Sequence, residues 1–196
     1  MIKGLAALAL ALVAAACSRA SSPDETDIAG MMPRLEFSMI RANDGAAVDA
    51  ASYRGQTVLL YFGYTHCPDE CPTTLTDLAE MQHRMGSRAK DVRVLFVTVD
   101  PARDTVPVMR AYVRAFGPGI DALRGNPNEI AALARRYRVL YQSTPTKPGR
   151  PYEVTHSDSV FVFDRDGRAR IVLTSTIDSA RLASEMKVLL RSEYRS

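Results

Sequence analysis

The sequence contains no tryptophan, no internal repeat and no long low-complexity tract, and only three of its 196 residues are cysteines and three are histidines. The net charge is +3, and lysine, arginine, aspartate and glutamate are interspersed. Because the chain has no basic block, we expect no nucleic-acid partner. No apolar run reaches the roughly 20 residues of a membrane-spanning helix. With 46% hydrophobic residues, the composition suits one compact domain with an appendage.

The N-terminus is predicted to be a lipoprotein signal. A short positive segment, Met1–Lys3, precedes the apolar run Leu5–Ala16, which has the length of a signal-peptide core. The small residues before Cys17 resemble a bacterial lipobox, in which the cysteine is lipidated and becomes the mature N-terminus. The alternative is an ordinary signal peptide cut nearby, which would remove Cys17. The expected division is a signal peptide over 1–16, a lipidated flexible tether over 17–32 and one domain over 33–196.

Lipidation of Cys17 would place the domain in the periplasm, anchored to a bacterial membrane. The inner membrane is the expected one, but Ser18 stands where some bacteria use an aspartate for inner-membrane retention, so the outer membrane stays open. The periplasm is oxidising, and an unprotected pair formed by the remaining cysteines, Cys67 and Cys71, would close to a disulfide there.

Hydrophobic patterning predicts the order of strands and helices. Leu35–Ile40 followed by Asn43–Gly45 predicts an N-terminal β-hairpin, and continuous apolar runs predict buried strands at Thr57–Phe62 and Val92–Val99. A second hairpin is expected from 159–163 and 168–174, and a proline-rich loop over 143–151. Helical spacing predicts helices over 72–85, 104–116, 126–137 and 178–191.

This order is that of a thioredoxin-like α/β fold with an N-terminal β-hairpin extension. A β-α-β unit gives a parallel strand pair with a right-handed crossover, and the last hairpin adds antiparallel strands. In this fold the turn after the first central strand carries the reactive cysteines at a helix N-terminus. Cys67 and Cys71 fall in that turn, in the stretch GYTHCPDECPTT.

Three roles are open for Cys67 and Cys71: a structural disulfide, a redox-active pair, and part of a metal site. At a helix N-terminus, unpaired amides and the positive dipole end favour thiolate, which attacks disulfides and binds soft metals. If the two cysteines span one helical turn, their Cβ atoms lie about 5–6 Å apart, which suits two sulfurs converging on one ion. A structural disulfide closing so short a loop would contribute only roughly 2 kcal/mol.

The spacing and the local charge favour the metal. Thiol–disulfide oxidoreductases usually carry two residues between their cysteines. Here three residues lie between them, and two of these, Asp69 and Glu70, are acidic. Negative charge beside a thiolate works against a reactive nucleophile and is compatible with attracting a cation.

His156 is the candidate third ligand. It precedes a predicted strand, in the connection that faces the cysteine turn in thioredoxin-like folds, where redoxins place a cis-proline that this chain lacks. His83 is expected on the solvated face of its helix, and His66 is expected to point away from its neighbour Cys67. Two thiolates and one imidazole fit copper as Cu(I) or Cu(II), one ion per domain, whereas zinc prefers four ligands.

Three motifs in this order resemble the SCO/SenC family of copper-binding assembly factors for cytochrome c oxidase. They are Tyr61–Pro72, similar to F-G-x-T-x-C-P-x-x-C-P, Val99–Thr105, similar to D-P-x-R-D-T, and Tyr152–Ser157, and the resemblance covers residues 35–190. The family's metal ligands map onto Cys67, Cys71 and His156. Thr155 departs from members with an acidic residue before the histidine, and Val106 replaces the usual proline after Thr105.

The resemblance implies a copper chaperone, and not an enzyme, that passes copper to the copper A site of cytochrome c oxidase subunit II. Other periplasmic copper chaperones are further expected partners. The alternative is a thiol–disulfide reductase that keeps the subunit II cysteines reduced for metallation. It would use Cys67 and Cys71 as a catalytic redox-active pair and would not need His156. A peroxiredoxin-type peroxidase shares the fold, but the chain lacks its P-x-x-x-T-x-x-C context.

The second motif allows two interpretations. Asp104 or Thr105 would cap the helix that follows. Asp100 ends a buried strand beside the cysteine turn, which would let its charge act on the site.

Overall fold

The structure, a computed structural model, describes residues 25–147, 152–174 and 177–193. Its helices are α1 (Glu70–Met85), α2 (Val106–Arg114), α3 (Pro127–Arg136) and α4 (Ser179–Glu193). Its strands are β1 (Glu25–Asp27), β2 (Ser38–Arg41), β3 (Ala47–Asp49), β4 (Thr57–Gly63), β5 (Val92–Thr98), β6 (Ile120–Arg124), β7 (Tyr141–Thr144), β8 (Glu153–His156), β9 (Val160–Phe163) and β10 (Ala169–Leu173). The predicted signal peptide and Cys17 lie outside the described residues.

The central sheet has eight strands in the order β1-β10-β9-β4-β5-β6-β2-β3. Strands β4, β5 and β6 are parallel, and the other pairs are antiparallel. Both predicted hairpins form, as β2–β3 and as β9–β10. All seven residues of β4 are buried, which is why its sequence reads as a continuous apolar run.

Helix α1 carries the chain from β4 to the parallel strand β5. Its buried positions recur at helical spacing and form one inward, mainly apolar face: Cys71, Leu75, Leu78, Met81, Gln82 and Met85. The helix begins at Glu70, two residues before the predicted start, so Cys71 lies in its first turn. Helix α3 has the predicted capping box, since Asn126 accepts from the Glu129 amide at 3.0 Å and Glu129 accepts from the Asn126 amide at 2.7 Å.

Two strand pairings differ from the predictions. Strand β6 was not predicted, and residues 143–144, assigned to a loop, end β7 in a separate two-stranded sheet with β8. His156 therefore ends strand β8 as well as preceding β9. Strands β7 and β8 are largely exposed, so they carry no hydrophobic pattern that would reveal them.

Residues 25–28 of the predicted tether pack on the sheet. Residues 25–27 form β1, which pairs with β10 in the register Glu25 opposite Leu173, and Ile28 is 5% exposed. The apolar side chain and the strand hydrogen bonds hold this segment against the sheet. Over the described ranges, no helix has the length and apolar character needed to cross a membrane.

Candidate metal centre

The cysteine turn lies where β4 leaves the sheet and α1 begins. Gly63, the last residue of β4, makes the close packing possible, because an added Cβ would lie 2.8 Å from Cys71 Sγ and 2.7 Å from Phe96 Cε2. Cys71 is fully buried, Cys67 is half-buried, and both thiols are free. The Cys71 amide at the start of α1 donates to Cys67 Sγ at 3.3 Å, so the helix N-terminus supports charge on that sulfur.

His156 reaches the buried thiol from the end of β8. Its Nε2 lies 3.3 Å from Cys71 Sγ, and its Nδ1 lies 3.0 Å from the carbonyl oxygen of Ser157. Since a carbonyl only accepts, Nδ1 carries the proton and the Nε2 lone pair faces the sulfur. A histidine that ligates a metal is commonly fixed in this way by a hydrogen bond at its other nitrogen.

The structure brings together the three predicted donors. The sulfurs of Cys67 and Cys71 and the nearer ring nitrogen of His156 all lie within 4.8 Å of one another. The rings of Tyr61 and Tyr64 pack edge-on against the imidazole, with centroids 6.1 and 5.8 Å away. Two soft sulfur donors and one imidazole suit a soft metal ion, and copper in particular.

Burial controls the protonation of the inner thiol. It raises the pKa of Cys71 well above the usual range of a thiol, because the thiolate would lose its hydration there. A free Cys71 thus stays protonated at neutral pH. Only a strong competitor for the sulfur, such as a metal ion, would displace that proton.

Asp104 is a buried carboxylate that holds the cysteine turn in place. It is 0% exposed, and it accepts hydrogen bonds from the Thr65 amide at 3.0 Å, the Thr65 hydroxyl at 2.6 Å and the Thr98 hydroxyl at 2.7 Å. The expected capping role is not observed, since Thr105 is the N-cap of α2 and makes no side-chain capping bond. The sequence offered no sign that Asp104 contacts a turn 39 residues earlier in the chain.

A second group of side chains fastens the hairpin that carries His156. Asp100, two residues after β5, accepts from the Tyr152 hydroxyl at 2.5 Å and pairs with Arg103 Nε. Arg103 also donates to the Tyr152 carbonyl at 3.1 Å, and its guanidinium lies 4.0 Å from the centre of the Tyr152 ring. Asp100 therefore acts on the site through Tyr152, four residues before His156.

The other two histidines lie outside this donor set, as expected. His83 is exposed on α1. His66 is exposed beside Cys67, and its Nδ1 lies 3.0 Å from Thr65 Oγ1. The fold and the site together define a class of protein: a thioredoxin-like domain in which two thiols and an imidazole form a soft-metal site at the place where redoxins exchange disulfides.

The chain belongs to the SCO1/SenC family, whose model matches residues 32–191. It is similar to the mitochondrial SCO2 homologue of Bos taurus, with 40% identity over 138 residues, 69% of this chain and 50% of the relative. The chain thus matches about half the length of that relative.

Two solved structures are similar to this one over nearly their whole length. Bradyrhizobium japonicum ScoI with copper bound is 36% identical with a TM-score of 0.73, covering 80% of this chain and 98% of that one. Arabidopsis thaliana ScoI with copper bound is 34% identical with a TM-score of 0.74, covering 81% and 98%. The thioredoxin-like fold predicted from the sequence is confirmed.

Proposed function

We propose that this protein binds one copper ion through Cys67, Cys71 and His156 and delivers it to the copper A site of cytochrome c oxidase subunit II during oxidase assembly. The observation that carries the proposal is the convergence of the three donor atoms within 4.8 Å. Proteins of the Sco family take part in cytochrome c oxidase assembly and bind copper. The copper-bound relatives described above support the choice of metal.

The three donors have different access to solvent, which suits a carrier. Cys71 is fully buried, whereas Cys67 and His156 are half-buried. The Cys71 sulfur would therefore keep the ion while a ligand from a client protein replaces one of the other two donors. Binding displaces the thiol protons, and delivery by ligand exchange returns them without a change in copper oxidation state.

We further propose a periplasmic location with a lipid anchor at Cys17. Glu25, where β1 begins, lies eight positions after Cys17, and even a fully extended segment of that length spans at most roughly 28 Å. The domain would thus stay close to the membrane that holds the oxidase. Tethering would raise its effective concentration at the subunit II surface and at other periplasmic copper chaperones.

Thiol–disulfide exchange is a poorer account of the same site. In that reaction Cys67 would attack and Cys71 would resolve the mixed disulfide, and the raised pKa of buried Cys71 works against the resolving step, which also needs a thiolate. Thiol–disulfide exchange also gives no reason for the His156 Nε2 lone pair to face Cys71 Sγ at 3.3 Å.

The test is an anaerobic copper titration of the purified, reduced protein. We expect one equivalent of Cu(II) to bind with an intense thiolate-to-copper absorption band. His156→Ala should weaken binding by about 10–100-fold or more, while His83→Ala, which changes an exposed histidine, should leave it unaltered. Unchanged copper uptake by Cys67→Ser would rule out the proposed site.

Delivery is tested separately in cells that depend on this protein. We expect His156→Ala to leave subunit II with reduced cysteines but without copper at the copper A site. Normal oxidase assembly by His156→Ala, together with full reductase activity, would show that thiol reduction is the function.

A further inference from the structure

His66 is an exposed imidazole on the cysteine turn and is held in a fixed orientation. Its side chain is 51% exposed, and it directly precedes Cys67, the more accessible of the two sulfurs. Its Nδ1 lies 3.0 Å from Thr65 Oγ1 and 3.6 Å from Asp104 Oδ1. His66 does not belong to the three-donor set of Cys67, Cys71 and His156, called the resident site below, so that site does not explain why the ring is fixed.

The hydrogen bonds around Thr65 determine which nitrogen of His66 is free. The Thr65 hydroxyl has a single proton, and it donates that proton to the buried Asp104 carboxylate at 2.6 Å. The 3.0 Å contact with His66 must therefore run from the ring Nδ1–H to a lone pair of Thr65 Oγ1. Neutral His66 then carries its lone pair on Nε2, the nitrogen away from Asp104.

This is the arrangement in which proteins present histidine to a metal. One ring nitrogen is fixed by a carboxylate or by a group bonded to it, and the other nitrogen is left as the ligand. Among the residues that the structure describes, none donates a hydrogen bond to His66 Nε2. Asp69 and Glu70, exposed on the same turn, add negative charge that favours the approach of a cation.

We propose that His66 is an accessory copper ligand that holds the ion beside Cys67 while it enters or leaves the three-donor set. The inference rests on the proposed function and deepens it. On uptake, a bond from copper to His66 Nε2 forms as a bond to the donor's ligand breaks. The copper–His66 bond breaks in turn as Cys67, Cys71 and His156 complete the three-donor set, the protons of both thiols leave to solvent, and no electron is transferred. Release follows the same steps in reverse.

A ligand that acts only during transfer changes rates and not equilibria. The experiment measures copper exchange between the reduced protein and the Cu(I)–bicinchoninate complex by anaerobic stopped-flow absorption, in both directions. We expect His66→Ala to slow uptake and release by the same factor, about tenfold, which corresponds to roughly 1.4 kcal/mol of barrier. The dissociation constant should not change. His83→Ala is the matched control and should leave both rates as in the wild type.

Two results would overturn the inference. Unchanged rates in His66→Ala would show that the imidazole takes no part in transfer. Faster release with weaker binding would show that His66 belongs to the resident site. Either result leaves the proposed function intact if the wild type still binds one copper, whereas a wild type that takes up no copper removes the proposed function itself.

A second measurement needs no copper. Nitrogen NMR of the metal-free protein at alkaline pH should show His66 protonated at Nδ1. Thr65→Val, which removes the positioning hydroxyl, should shift the ring toward the other tautomer and slow copper transfer, while Thr65→Ser should preserve both. A wild-type His66 protonated at Nε2 would contradict the assignment.

Discussion

Replacing Asp104 by asparagine tests whether a buried carboxylate organises the cysteine turn. Asparagine keeps the shape but removes the charge, and it replaces one oxygen by an NH2 group that cannot accept, in a group that accepts three hydrogen bonds at 2.6–3.0 Å. A hydrogen bond to a charged group contributes about 1.5–3 kcal/mol and a neutral one about 0.5–1.5, so each retained bond weakens by about 1 kcal/mol and the lost acceptor costs at least as much. We expect Asp104→Asn to lower the free energy of unfolding by about 3 kcal/mol. In a domain of this size the melting temperature should fall by roughly 6–12 °C.

The assay is thermal and urea unfolding of the reduced, metal-free protein. Asp69→Asn is the control, because Asp69 is exposed on the same turn and makes no side-chain capping bond. It should change stability by less than about 0.5 kcal/mol. Copper affinity of Asp104→Asn should also fall by about tenfold, since the turn that positions Cys67 is loosened. A melting temperature within about 2 °C of the wild type would refute the role assigned to Asp104.

Two further predictions concern the rest of the site. Tyr152→Phe removes the hydroxyl that donates to Asp100 at 2.5 Å, and we expect copper affinity to fall about tenfold in equilibrium titrations, with the thiols still fully titratable. The raised pKa of Cys71 means that the folded state holds its proton while the unfolded chain ionises near pH 8.5. The stability of the metal-free protein should therefore fall as pH rises from 8.5 to 9.5, by up to about 1.4 kcal/mol per pH unit, in urea titrations. Cys71→Ser should lack this slope, and an equal slope in that variant would show that another group causes it.

The parts of the fold that the sequence predicted are those with strong, local patterns. Strand β4 is buried along its whole length, and α1 buries one side at helical spacing, so both are visible in the order of residues. The capping box at Asn126 is also visible in the sequence, because its partner Glu129 lies only three positions later. Strand β6 has four buried residues of five, but it is short and includes Asp121, which hid it from a hydrophobicity argument.

The metal donors could be predicted from the sequence, whereas the contacts that hold them in place could not. Cys67 and Cys71 lie four positions apart in one segment, and His156, one of only three histidines, precedes a predicted strand in the connection that faces the cysteine turn in a thioredoxin-like fold. The contacts of Asp104 and Tyr152 join residues 39 and 52 positions apart. Such contacts depend on tertiary packing, which no local periodicity encodes.

The imidazole that faces the buried sulfur favours a metal ion over disulfide exchange at this site. A disulfide exchanger needs an accessible thiolate that attacks and a second thiol that resolves the mixed disulfide. Here the second thiol, Cys71, is buried close to Gly63 and faces the Nε2 lone pair of His156. Its raised pKa keeps it protonated until a metal ion binds. A metal ion fits this arrangement, because it replaces the proton of the Cys71 thiol and binds the Nε2 lone pair of His156. In the transfer proposed above, fully buried Cys71 is the anchor, and half-buried Cys67 lies on the same turn as the exposed His66.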